Sequence, residues 1–128
     1  SSDTAVPIGE IGNFIQMTDA ALAELDPNLR TNRYGHLGDG NIHVNVFPPE
    51  GLSKKEYLKD KPNLIDDVRM LINSVTEDCR GSISAEHGIG QSKRDQLAKV
   101  KSPAIINTMR SIKSALDPKN LMNPGKVI

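Results

Sequence analysis

Thr31 to Phe47 reads TNRYGHLGDGNIHVNVF, two runs of alternating character separated by Gly38-Asp39-Gly40. An Asp-Gly pair between such runs signals a β-hairpin, because both central residues of a type I′ turn need positive φ. With Asp39 and Gly40 in those places, facing residues are the ones whose numbers sum to 79: Gly38 with Asn41, His36 with His43, and Tyr34 with Asn45. Both imidazoles then lie on one side of the ribbon, with Cβ atoms about 5 Å apart, close enough to share one ion. Leu37 and Ile42 oppose one another on the other side, where Val44 and Val46 follow, and this side is expected to be core.

Working outward, Ile11, Phe14, Ile15, Ala21, Leu22 and Leu25 recur at helical spacing after Pro7, and Asp26-Pro27-Asn28 ends that helix. The preceding TAVPI, residues 4–8, suits a short strand near an edge because of its proline. On the other side, PPEG breaks the chain at 48–51, and the polar residues from there to Asn63 suit a mobile loop. Leu64, Ile65, Val68, Leu71, Ile72 and Val75 give a second helix ending near Gly81, and SISAE from Ser82 reads as a short alternating strand. Ser92 suits an N-cap for a short helix through Leu97, and Ser102-Pro103 a cap and first turn for another that ends at Asp117-Pro118. The expected class is α+β: a ferredoxin-like βαββαβ antiparallel sheet with helices on one face, plus C-terminal helices, with residues 1–128 read as one domain.

The totals narrow the function. Sixteen basic residues balance 16 acidic ones, aromatics make up 3% of the chain, and there is no basic stripe, so nothing favours nucleic acid or an anionic membrane surface. No apolar run is long enough to span a bilayer, and the first residues lack a signal-peptide pattern. Cys79 stands alone, which excludes an internal disulfide and a cysteine zinc cluster; it falls on an apolar helical stripe and reads as a plain buried thiol.

The third histidine, His87, directly follows Glu86 at the exit of the last expected strand, before Gly88-Ile89-Gly90. A strand end is where loops present functional groups. Spacing alone leaves two readings open: a site shared by His36, His43 and Glu86, or polar side chains on an open sheet face. In the usual ferredoxin-like order, moreover, the strand ending at Glu86 stands two places from His43, about 10 Å at normal strand spacing. Strand alternation also puts Glu86 and His87 on opposite faces unless the strand ends there.

Taken together, GHLGDGNIHVN (35–45), SAEHGIG (84–90) and LDPKNLMNPGKV (116–127) resemble, in this order, the C-terminal domain of FAD-linked oxidases. These are flavin-dependent D-2-hydroxyacid dehydrogenases, with D-lactate, D-2-hydroxyglutarate and glycolate-oxidising members. The resemblance runs from about Asp3 to the last residue. It implies that His36, His43 and Glu86 bind a divalent metal, zinc or manganese, that His87 is the base accepting the substrate hydroxyl proton, and that Asn45 helps to hold substrate. In the closing NPGK, Asn123 is the flavin-side candidate, with loop punctuation as its other reading.

The chemistry expected from the resemblance is oxidation of a D-2-hydroxy acid to a 2-oxo acid. A metal with open positions can chelate the hydroxyl and carboxylate oxygens, while hydride leaves for FAD. The resemblance further implies a separate N-terminal FAD-binding domain as partner and a basic residue shortly before the DTAVP strand. Here that place falls at Ser1 or Ser2, so the chain is expected either to start just past it or to have non-native first residues, and to be inactive by itself. Self-association through the surface that the partner domain would cover is expected as well. The location implied is cytoplasmic or peripheral at the inner membrane in a bacterium, and mitochondrial in a eukaryote. The competing readings are a stand-alone metal-dependent hydrolase and a non-catalytic ferredoxin-like binding module.

Overall fold

The computed structural model describes residues 1–128, which form two compact units, Ser1–Glu86 and His87–Ile128. In the first unit the order is β1 (Thr4–Ala5), α1 (Ile11–Leu25), β2 (Arg30–Tyr34), β3 (Asn41–Phe47), α2 (Lys54–Tyr57) and α3 (Leu64–Asp78), with single 3-10 turns at Ile8–Glu10 and Leu37–Asp39. The strands form an antiparallel sheet in the order β1-β3-β2. Phe14 and Leu22 of α1, with Ile72, Val75 and Cys79 of α3 and its end, pack on Ile42 and Val44 of β3 and on Val6. The class is α+β, as the periodicities imply.

The expected fourth strand is reduced to one bridge, Ala5 with Ser82, antiparallel on the outer side of β1. That bridge still sets the order Ser82-β1-β3-β2, the ferredoxin-like arrangement. Close approach makes it: a Cβ at Gly81 would fall 2.3 Å from the Ala5 carbonyl oxygen, so glycine lets the returning chain lie against β1. Reversal at the end of α3 therefore falls to Arg80, which takes φ 57.

The hairpin register differs from the expected one by two residues. Tyr34 faces His43 and Asn32 faces Asn45, so facing numbers sum to 77. The turn uses four residues, Leu37 to Gly40, in place of two: the His36 carbonyl accepts from both Asp39 N–H (2.9 Å) and Asn41 N–H (3.2 Å), and Gly40 at φ 71 closes the loop. Contact with the end of β1 selects this turn, since Val6 N–H donates to the Gly40 carbonyl at 2.9 Å and a Cβ at Gly40 would lie 1.9 Å from the Val6 oxygen. A shift of one residue would have exchanged the two faces of β2, whereas a shift of two keeps them. Ile42 and Val44 are accordingly buried, but Leu37 is carried out into the turn and is 60% exposed.

The polar stretch after Pro49 contains a short helix that the composition hid. Ser53 and Glu56 form a reciprocal capping box at the start of α2, and the Tyr57 hydroxyl donates to Asp26 Oδ2 at 2.6 Å. Lys61 also pairs with Asp26, and these two partners hold the Asp26 carboxyl far below the usual carboxylate range. Cys79 is buried, and desolvation raises its thiol pKa, which fits an inert thiol.

The second unit carries α4 (Arg94–Val100) and α5 (Pro103–Leu116). Ser102 caps α5 as expected, whereas α4 starts after Lys93 and Ser92 is not its cap. Asp117 ends α5 and accepts from Leu121 N–H and Met122 N–H, both at 2.9 Å, as well as from Lys113. These bonds pull its carboxyl down to about 2, the lysine contributing most.

Candidate metal centre

Strand alternation puts Asn41, His43 and Asn45 of β3 on the face opposite Ile42 and Val44, together with their β2 neighbours Tyr34 and Asn32. His43 is fixed on three sides. Its Nδ1 lies 3.1 Å from the Ser2 carbonyl oxygen, its ring centroid is 5.1 Å from that of Tyr34, and its Nε2 is 3.1 Å from Glu86 Oε1. A carbonyl can only accept, so Nδ1 carries the proton and donates, and in the neutral ring Nε2 presents a lone pair. Against Glu86, Nε2 can either carry a proton and donate or offer its lone pair to a cation shared with the carboxylate.

His36 sits just beyond the last facing pair, not opposite His43. Its Nε2 is 3.8 Å from the other carboxylate oxygen, Glu86 Oε2. One carboxylate thus addresses two imidazoles, one with each oxygen. The three side chains are exposed to different degrees: 8% for His43, 41% for Glu86 and 68% for His36.

The expected 10 Å between Glu86 and His43 is crossed because the chain leaves the sheet plane after Ser82. Ala85 N–H donates to the Asp3 carbonyl (3.3 Å) and Glu86 N–H to Asp3 Oδ1 (3.1 Å), so the segment wraps over the start of β1. Nothing in the spacing of the histidines pointed to Ser2 or Asp3. The signal that could have found them is the β1 register, which, continued from Thr4 opposite Ile42, sets Asp3 beside His43.

Two imidazoles and one carboxylate suit a divalent first-row metal with positions left open. The donors present fit such an ion, with His43 Nε2, His36 Nε2 and the Glu86 oxygens as the atoms that would hold it. Asn45 is half-buried on the same strand face, two residues beyond His43. Asn41, two residues before it, is buried, and its Oδ1 has no hydrogen-bond partner. His87 is exposed and opens the second unit directly after Glu86. Asn123, in that unit, takes φ 45 in an exposed turn closed by Lys126 N–H on its carbonyl at 3.2 Å.

Comparison with known proteins gives one family: the model described as "FAD linked oxidases, C-terminal domain" matches residues 1–127. The D-2-hydroxyglutarate dehydrogenase of Stutzerimonas stutzeri (strain A1501) is 36% identical over 126 residues, covering 98% of this chain and 26% of that protein. The mitochondrial D-2-hydroxyglutarate dehydrogenase of Arabidopsis thaliana is 40% identical over 126 residues, 98% of this chain and 20% of its own. The D-lactate dehydrogenase of Anaerostipes hadrus is 34% identical over 125 residues, 98% of this chain and 25% of its own. The chain therefore spans about a quarter or less of these relatives. No helix is long and apolar enough to cross a membrane.

Proposed function

The chain belongs to the family of FAD linked oxidase C-terminal domains, and from that premise we propose that it supplies the metal and substrate groups of a flavin-dependent D-2-hydroxyacid dehydrogenase. The observation that carries this reading is the Glu86 carboxylate standing between His43 Nε2 and His36 Nε2, at 3.1 and 3.8 Å.

A divalent ion, zinc or manganese, held by His36, His43 and Glu86 would supply Lewis acidity toward the hydroxyl and carboxylate oxygens of a 2-hydroxy acid. FAD, bound mainly by an N-terminal domain of the whole protein, would take the hydride.

The remaining work falls to this chain's own side chains. Ser2 holds the His43 ring in the tautomer that leaves Nε2 available. His87 receives the proton from the substrate hydroxyl as general base. Asn45, on the histidine face of β3, donates to and orients the substrate. Asn123 serves the flavin side. D-2-hydroxyglutarate and D-lactate, the substrates in the relatives' names, are the first to try. A metal-dependent hydrolase would share the ligands, but family membership favours the flavoenzyme.

Metal analysis of the purified chain tests the centre. The wild type is expected to hold a divalent ion and His43→Ala to lose it; an equal metal content in both would overturn the reading. In the full-length protein, His87→Ala is expected to lower kcat on D-2-hydroxy acids by about 100-fold or more, the usual size of a general-base contribution.

A further inference from the structure

We infer that Asp3 is a positioning residue for Glu86: its buried carboxylate fixes the main chain of residues 84–86 so that the Glu86 side chain reaches the two imidazoles. Asp3 is 4% exposed, and a carboxylate so buried has to be met by donors. Its Oδ1 accepts from Glu86 N–H at 3.1 Å and its Oδ2 from the Ser84 hydroxyl at 3.2 Å, while its carbonyl accepts from Ala85 N–H at 3.3 Å. Each of the residues 84–86 is therefore bonded to Asp3.

These bonds replace a missing ladder. Sheet pairing on this side ends with the bridge between Ala5 and Ser82, so beyond Ser82 no strand register fixes where the chain goes. Asp3 supplies that register with a side chain. Its neighbour Ser2 acts on the other ligand: Ser2 N–H donates to the Val44 carbonyl (3.0 Å), Val44 N–H donates to Ser2 Oγ (3.0 Å), and the Ser2 carbonyl takes the His43 Nδ1 proton (3.1 Å). Consecutive residues thus grip the two segments that bring Glu86 and His43 together, and outer partners of this kind set the orientation of ligating side chains. The consequence for affinity rests on the divalent-ion reading above; the effect on the main chain does not.

The test compares Asp3→Ala, Asp3→Asn and Ser84→Ala in the 128-residue chain, by amide hydrogen exchange without metal and by calorimetric titration with zinc. In Asp3→Ala, exchange at Ala85 and Glu86 is expected to speed up while the α1 amides of Thr18 and Leu22 keep their rates, and zinc affinity is expected to fall about 10- to 100-fold. Asparagine keeps an acceptor for Glu86 N–H, so Asp3→Asn is expected to stay within about threefold of wild type in both measurements, with Ser84→Ala between the two. Unchanged exchange at Glu86 in Asp3→Ala overturns the proposal. So does Asp3→Asn behaving like Asp3→Ala, which would mean that charge or direct ligation is what Asp3 provides, and so does faster exchange across α1, which would mean a general role in stability. A wild type that binds no zinc overturns the ion reading alone, because the exchange data decide the role of Asp3 without metal.

Discussion

His43 Nε2 lies 3.1 Å from Glu86 Oε1, although 43 residues separate them in the chain. The contact joins β3 to a segment that has already left the sheet, and β1 lies between the two. The His43 Nδ1 bond to the Ser2 carbonyl and the Glu86 N–H bond to Asp3 Oδ1 hold its two ends.

The two imidazoles should separate in a mutational comparison. His36→Ala and His43→Ala are each expected to weaken manganese binding by at least about tenfold. His36 is 68% exposed, so its loss should change stability by less than about 0.5 kcal/mol. His43 is 8% exposed and bonded to Ser2, so its loss should cost about 1 kcal/mol. Calorimetric titration and urea unfolding of both variants give the two readouts.

Acid should loosen the end of α5 before neutral conditions do. The Asp117 carboxyl is held down at about 2, chiefly by Lys113 and by Leu121 N–H, well below an unfolded aspartate near 3.9. A folded pKa below the unfolded one gives stability that is complete above the unfolded value and is lost as pH falls through the folded value. Asp117→Asn should therefore melt below wild type at pH 6, with the difference shrinking between about pH 4 and pH 2. Thermal melts of both proteins across that range, with the Leu121 and Met122 amides followed by NMR, check it.

Arg80 occupies the left-handed region at φ 57, a conformation that costs a residue bearing Cβ about 1 kcal/mol. Its ion pair with Glu10, at 3.4 Å and with the arginine side chain 79% exposed, offsets little of that. Arg80→Gly is expected to stabilise the chain by about 0.5 kcal/mol after the greater freedom of glycine in the unfolded state is counted. Urea midpoints would show it, and a lower midpoint in the variant would count against the assignment.

Ile105, Ile112 and Leu116 repeat along one stripe of α5 and are 49%, 56% and 75% exposed. The isolated chain is expected to self-associate through this apolar stripe, giving concentration-dependent sedimentation that Ile112→Lys abolishes. Monomer alone at high concentration would refute it.

The helices were legible because their apolar residues repeat at helical spacing, and the Ser102-Pro103 start of α5 because cap chemistry is local. That Glu86 lies beside both His36 and His43, at 3.8 and 3.1 Å, was expected from the family resemblance more than from spacing. The hairpin's register was not legible: Asp39-Gly40 fits a two-residue turn, and Gly40 against Val6, a contact from 34 residues away, selects the longer one. Face assignment survived because the shift was even. The fourth strand was overestimated, since SISAE alternates as a strand would but only Ser82 finds a sheet partner. Asp3 and Ser2 stayed invisible because their part is played largely through main-chain groups of other residues, which carry no sequence signature.

The two borders of the sheet share a further property. On one side β1 is two residues long with one bridge beyond it, and on the other β2 begins with Arg30, whose Nε is tied to the Pro48 carbonyl at 2.9 Å. Brief borders and cationic borders both discourage a foreign strand from adding to the ladder. Such borders disfavour fibre-like stacking at the sheet, so any association of copies is expected to use the helices instead.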